Sequence, residues 1–110
     1  ELLESVSQYG NVTVTENPAQ AVKNADVVYT DNYNYHTAIS ETERKILLPY
    51  QVNKKLMELA SPDAVFMHAL PANRGIEVTE EIIDGSKSLV LEQAENKLHT
   101  VKAVFALLVK

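Results

Sequence analysis

Short apolar runs alternate with helical patterns along the chain. Four runs are rich in β-branched or aliphatic residues and predict strands; they are residues 11–15 (NVTVT), 26–30 (DVVYT), 64–68 (AVFMH) and 88–91 (SLVL). Strands that alternate with helices pair in parallel through right-handed crossovers, and helices cover both faces of the sheet. We therefore predict an α/β fold of three layers, with a mostly parallel sheet of about four strands flanked by helices.

Capping residues mark where the helices between these strands begin. An Asn before a Pro, a Ser three residues before a Glu, and single Asn and Thr residues are typical of helix N-termini. They are Asn17 with Pro18, Ser40 with Glu43, Asn53 and Thr79. The predicted helices extend to about residue 24, through residue 48 (Pro49 ends it), to about residue 60 and to residue 85.

A longer helix is predicted at the end of the chain. Apolar residues recur there at spacings of three and four, namely Ala94, Leu98, Val101, Phe105 and Leu108. This period places them on one side of a helix. We expect that side to be buried.

Composition narrows the class of protein. The 110 residues make one domain or part of one, and residues 1–9 read as the end of a helix without a start signal, so we interpret the chain as a fragment. The net charge is −5 and no basic cluster occurs, which argues against nucleic acid as a partner. Cysteine is absent, which excludes disulfides and thiolate metal sites. The sequence also lacks the run of about 18 apolar residues that would predict a membrane-spanning helix.

The loops that follow the strands are the places to look for a site, because parallel sheets bind ligands beyond the carboxyl ends of their strands. The loop from His68 to Gly75 offers an imidazole, a turn with free carbonyl oxygens at Pro71, and the guanidinium of Arg74. Carbonyl oxygens suit an amine or amide, and Arg suits a carboxylate or phosphate. The alternative is a structural His, a rigid loop and a solvated Arg.

Several segments together resemble the ornithine and putrescine carbamoyltransferases, in the order of that family. His68-Ala69-Leu70-Pro71 resembles the family's His-Cys-Leu-Pro motif at the end of a strand. The other matching segments are 26–31 (DVVYTD), 50–53 (YQVN), 77–79 with 83–85 (EVT and IDG) and 93–99 (QAENKLH), the last similar to the family's Glu-Ala-Glu-Asn-Arg signature. The resemblance covers nearly the whole chain.

The resemblance implies that residues 1–110 are part of the carboxyl-terminal, acceptor-binding domain of such an enzyme. It implies transfer of the carbamoyl group from carbamoyl phosphate to an amine or amino acid, with no metal or cofactor. The catalytic residues implied are His68, Ala69 and Leu70. The substrate-binding residues implied are Asp31, Ala69, Leu70, Pro71, Arg74 and Lys97. It further implies a cis Leu70–Pro71 bond, and a cytoplasmic parent protein that is a homotrimer or larger.

The chain departs from the family pattern at three places. Ala69 replaces the motif cysteine, Lys97 replaces the signature arginine, and residues 32–36 replace the Ser-Met-Gly loop that reads ornithine. The acceptor is therefore open between ornithine, putrescine and a related amine. Tyr33 and Tyr35 either line the acceptor pocket or pack under the loop, and His36 is interpreted as a loop residue. The family's amino-terminal carbamoyl phosphate loop has no counterpart here, so we expect these residues to be inactive alone. The competing hypothesis is a non-catalytic relative that binds small molecules or acts as a scaffold.

Overall fold

The computed structural model describes residues 10–33 and 39–109, so the predictions for residues 1–9, Tyr35 and His36 lie outside it. Its elements follow in the order α1 (Pro18–Val22), β1 (Val27–Thr30), α2 (Glu41–Leu47), a 3-10 helix (Leu48–Tyr50), α3 (Lys54–Met57), β2 (Val65–His68), α4 (Glu80–Ile83) and α5 (Val90–Leu108). The α/β class is confirmed.

The two strands lie side by side and run parallel. Val27 pairs with Val65, and the register continues to Thr30 opposite His68, so both strands end at the same edge. The second edge of β2 is held by the chain before α5: Phe66 N–H donates to the Lys87 carbonyl at 2.8 Å, and Leu89 N–H donates to the Phe66 carbonyl at 2.9 Å. This contact is a single parallel bridge between Phe66 and Ser88.

Two of the four predicted strands are wrong. Residues 11–15 form no ladder in the described part of the chain, where the sheet consists of β1 and β2 alone. β-branched composition favours an extended backbone, but a strand also needs a neighbouring edge to pair with. The segment at residues 88–91 makes its one bridge at Ser88, and α5 already begins at Val90. The residues after 91 favour a helix, and that helix includes the last two residues of the predicted strand.

A helix starts directly after each of the four predicted capping residues, and three of the four make a side-chain cap hydrogen bond. Asn17 and Asn53 each accept a hydrogen bond from the backbone three residues on, at 3.2 and 3.0 Å. Ser40 and Glu43 form a complete capping box. Thr79 precedes α4 but makes no side-chain cap bond. The helices end earlier than predicted, since each cap specifies a start and not a length.

We expect Ser40→Ala to lower the free energy of unfolding by about 1 kcal/mol, because the amide of Glu43 loses its acceptor. The Ser40 hydrogen bonds hold the pKa of Glu43 below its usual range. The capping contribution is therefore present above the ordinary carboxyl pKa and is lost as the pH falls through the lowered one. Urea unfolding at several pH values measures both effects. Ser86→Ala, at an exposed turn, is the control, and equal losses in the two variants would contradict the assignment.

The core lies around β2. Phe66 and Val78 are fully buried, and Ala64 nearly so. The other buried apolar residues of this cluster are Val22, Val28, Val52, Ala60, Ile83 and Val90. The packing holds the carboxyl end of β2 in place, which matters because the candidate site begins there.

The final helix is longer than predicted and is not buried along one side. It begins at Val90, its one buried residue. Leu98, Val101, Phe105 and Leu108 are each at least half exposed, so the prediction of a buried face is wrong for the described structure. The helix contacts β2 and is bonded to it through Gln93, and every residue from 95 to 109 is exposed. In the described part of the chain, no helix is long and apolar enough to cross a membrane.

Candidate functional site

The turn that leaves β2 has an unusual backbone. The Leu70–Pro71 peptide bond is cis, as predicted, and Leu70 has a positive φ of 54°. Non-glycine residues rarely adopt this left-handed conformation. The amide of Leu70 donates to Nδ1 of His68 at 2.8 Å, so a side chain of the strand holds the turn that follows it.

A buried histidine and a buried glutamate support this turn from below. His68 is 1% exposed and Glu77 is fully buried. Because Nδ1 of His68 accepts the Leu70 amide, the ring carries its proton on Nε2, which lies 3.4 Å from the Glu77 carboxylate. The same carboxylate accepts a hydrogen bond from the amide of Asn73. Glu77 thus ties together both ends of the loop, a role that the sequence analysis missed.

The final helix reaches the turn with two side chains one helical turn apart. Gln93 accepts from the amide of His68 at 3.1 Å and donates to the hydroxyl of Tyr29 at 3.0 Å, so it joins the two strands. Lys97 donates to the carbonyl oxygen of Ala69 at 2.5 Å. The spacing of four residues places both side chains on one side of α5. Gln93 was also missed by the sequence analysis.

The loop after β1 meets the same turn. Asp31 accepts a hydrogen bond from the amide of Asn32 at 2.8 Å. The Asn32 side chain donates to the carbonyl of Pro71 at 3.2 Å and accepts from the Asn73 side chain at 3.0 Å. The structure therefore brings the Asp31 loop together with the turn at Ala69, Leu70 and Pro71.

Arg74 is committed to another partner. Its guanidinium forms two hydrogen bonds with the carboxylate of Asp84, at 2.8 and 2.7 Å. This pairing raises the pKa of Arg74 and lowers the pKa of Asp84. A cleft of about 390 Å³ beside this pair is lined by Leu70, Ala72 and the first turn of α5, but not by Asp31 or Lys97. The cleft therefore overlaps the predicted substrate site only at Leu70 and Arg74.

Tyr33 is half-buried and lines a cleft beside β1. Its hydroxyl donates to the carbonyl of Tyr50 at 3.0 Å. Burial raises the pKa of Tyr33. Among the described residues, no group of three His, Cys, Asp or Glu side chains is placed to hold a metal ion.

A comparison with protein families shows which family has this sequence. Residues 2–108 match the family described as aspartate/ornithine carbamoyltransferase, Asp/Orn binding domain. The chain belongs to this family. The resemblance inferred from the sequence motifs is therefore confirmed for the Asp/Orn-binding domain, which is the domain that contains the β2 turn described above.

Individual carbamoyltransferases are similar over most of the chain. An ornithine carbamoyltransferase from Hyperthermus butylicus is 54% identical over 99 residues, which cover 88% of this chain and 32% of that protein. The solved ornithine carbamoyltransferase of Pyrococcus furiosus matches 94% of this chain and 34% of its own, with a TM-score of 0.84 and 47% identity. A mutant N-acetyl-L-ornithine transcarbamylase, complexed with carbamyl phosphate and N-succinyl-L-norvaline, matches 97% of this chain and 34% of its own, at a TM-score of 0.76 and 31% identity. The chain spans about a third of the length of the carbamoyltransferases it matches.

Proposed function

We propose that this chain is the acceptor-binding part of a carbamoyltransferase and that it works only with a second domain that binds carbamoyl phosphate. The observation that supports the proposal best is the hydrogen bond from the Asn32 side chain to the carbonyl of Pro71. It fastens the loop that carries Asp31 to the turn that carries the Ala69 and Leu70 carbonyls. An amine that entered between them would meet a carboxylate and two carbonyl oxygens, which are acceptors for its N–H groups.

The chemistry proposed is attack of a neutral amine on the carbonyl carbon of carbamoyl phosphate. A carbon–nitrogen bond forms, the carbon–oxygen bond to phosphate breaks, and the proton lost by the amine leaves with the phosphate as hydrogen phosphate. The Ala69 and Leu70 carbonyls orient the carbamoyl NH₂ group and the amine, so the gain comes from positioning. His68 holds the turn through Leu70 and does not touch the substrates in this scheme. Pro71 contributes its carbonyl to the Asn32 contact.

The proposal keeps Lys97 as a residue of the acceptor site and leaves Arg74 out of it. Arg74 is occupied by Asp84, so we assign it to the structure of the loop. Lys97 donates a hydrogen bond to the Ala69 carbonyl, so we assign it to the acceptor site. We use "full-length transferase" for the protein that contains these residues together with the second domain. The proposal includes a cytoplasmic location for it and a homotrimer or larger assembly. Ornithine and putrescine are both candidate acceptors.

The test is Asp31→Ala in the full-length transferase. We expect the KM of the acceptor amine to rise roughly ten- to a hundredfold, because a charge-assisted hydrogen bond is lost. The KM of carbamoyl phosphate should change little. Initial rates with ornithine and with putrescine at saturating carbamoyl phosphate measure the effect.

Asp63→Ala serves as the control, since it removes an exposed aspartate before β2 and should leave both KM values unchanged. An unchanged acceptor KM in the Asp31 variant would place the amine elsewhere. No carbamoyl transfer by the unmodified protein to any of a panel of amines would instead favour the non-catalytic relative. The non-catalytic hypothesis has support from Ala69, which replaces the cysteine of the family motif.

A further inference from the structure

The contact between Lys97 and Ala69 joins a primary ammonium group to a carbonyl oxygen of the proposed acceptor site. The distance from Lys97 Nζ to the Ala69 oxygen is 2.5 Å, which is short for an N–H···O hydrogen bond. Gln93, one helical turn earlier, is bonded to the backbone of His68 and fixes the position of α5. The helix therefore presents Lys97 to this carbonyl from a defined position.

An acceptor such as ornithine or putrescine also carries its reactive nitrogen as a primary amine at the end of an alkyl chain. The Lys97 side chain is the same chemical group on a similar stem. The hydrogen bond from Lys97 takes one of the two lone pairs of the Ala69 oxygen and the space beside it, which an acceptor amine would otherwise use. We propose that Lys97 is an internal competitor of the acceptor amine, so its ammonium must leave the Ala69 carbonyl before the amine binds there. This inference rests on the proposed function.

The surrounding charges strengthen the competition. In residues 10–33 and 39–109, no carboxylate forms an ion pair with Lys97: Glu95 contacts His99 at 3.4 Å, and Asp84 is taken by Arg74. The Ala69 carbonyl is then the partner that holds the Lys97 charge. A free primary amine is protonated at neutral pH and would be repelled by an ammonium at the same oxygen. Lys97 thus opposes the acceptor both by occupying a hydrogen-bond acceptor and by its charge.

The test is Lys97→Met in the full-length transferase, because Met keeps the length of the side chain and its helix propensity but has neither charge nor donor. We expect the KM of ornithine or putrescine to fall roughly three- to tenfold, the equivalent of one net hydrogen bond. The KM of carbamoyl phosphate should stay within twofold. The advantage should shrink as ionic strength rises, because salt screens the repulsive part. Lys102→Met, farther along the same exposed helix, is the matched control and should change neither KM.

The opposite result identifies the competing role. A raised KM for carbamoyl phosphate, with the acceptor KM unchanged, would make Lys97 an anion partner and overturn the inference while leaving the proposed function intact. If the protein shows no turnover, calorimetric titration with putrescine separates the two ideas. Tighter binding to the Met variant supports the competition although the proposed function has failed, and equal or weaker binding overturns it.

Discussion

Glu77→Ala is expected to lower the free energy of unfolding by about 1–3 kcal/mol, the usual cost of leaving a hydrogen-bonding group inside the protein without its partner. The substitution leaves Nε2 of His68 facing an empty space in a dry interior, and it removes the acceptor of the Asn73 amide. The Asn73 amide then lacks the acceptor that it has in the native structure, and the space of a buried side chain is left unfilled. Equilibrium unfolding in urea, followed by circular dichroism, measures the change.

Glu81→Ala is the matched control for that experiment. It makes the same truncation on α4, a few residues away, where the side chain is exposed. We expect it to leave the unfolding midpoint unchanged. Similar losses in the two variants would mean that Glu77 contributes no more than a surface glutamate, and that the loop after β2 is held in another way.

Phe66→Ala is expected to lower the free energy of unfolding by more, about 3–5 kcal/mol, because it removes a buried apolar side chain. Phe66 is 0% exposed and lies at the centre of β2, where its backbone bridges to Ser88. Removing the ring sacrifices its burial and leaves a cavity that the surrounding strand and helices fill only in part. Thermal and urea unfolding of the two proteins give the difference.

Phe105→Ala supplies the comparison within the same chain. The truncation is chemically identical, but Phe105 is 61% exposed on α5. We expect its unfolding free energy to change by less than about 0.5 kcal/mol, as for most surface substitutions. If the two phenylalanine variants were equally unstable, the core would not be centred on β2.

The features predicted correctly from the sequence depend on a few neighbouring residues or on the order in which strands and helices follow one another. The Ser40 and Glu43 pair, and the Asn at residue 17, satisfy backbone amides of the very next turn, so their effect is the same in any fold. The parallel pairing of β1 with β2 was also predicted, because both strands are apolar and are separated by helices. These signals need no knowledge of distant contacts.

The predictions that failed each required a partner that local pattern does not specify. Residues 11–15 have strand composition but no edge to pair with in the described structure. The apolar side of α5 has the spacing of a buried face, yet burial requires another surface against it. Periodicity reports which side of an element is apolar. It does not report what lies opposite.

The candidate site was found only in part for a similar reason. The turn at Ala69 and Leu70 could be predicted from its place after a strand and from its likeness to a known motif. Glu77 was missed although it offered a signal: it is a single acidic residue between Ile76 and Val78, in an apolar stretch close to the turn. A charged residue in that setting is exposed or has a polar partner, and here it accepts from the Asn73 amide and lies 3.4 Å from the histidine nine positions before it.

The bonds between Asn32 and the β2 loop have a consequence for the amount of folded protein in a cell. They connect segments about forty residues apart, so the proposed pocket exists only when the chain is folded. An acceptor that binds there shifts the folding equilibrium by mass action, by about 2.7 kcal/mol when its free concentration is a hundred times Kd. Supply of the amine would then set not only the rate of its own conversion but also how long the protein survives proteolysis.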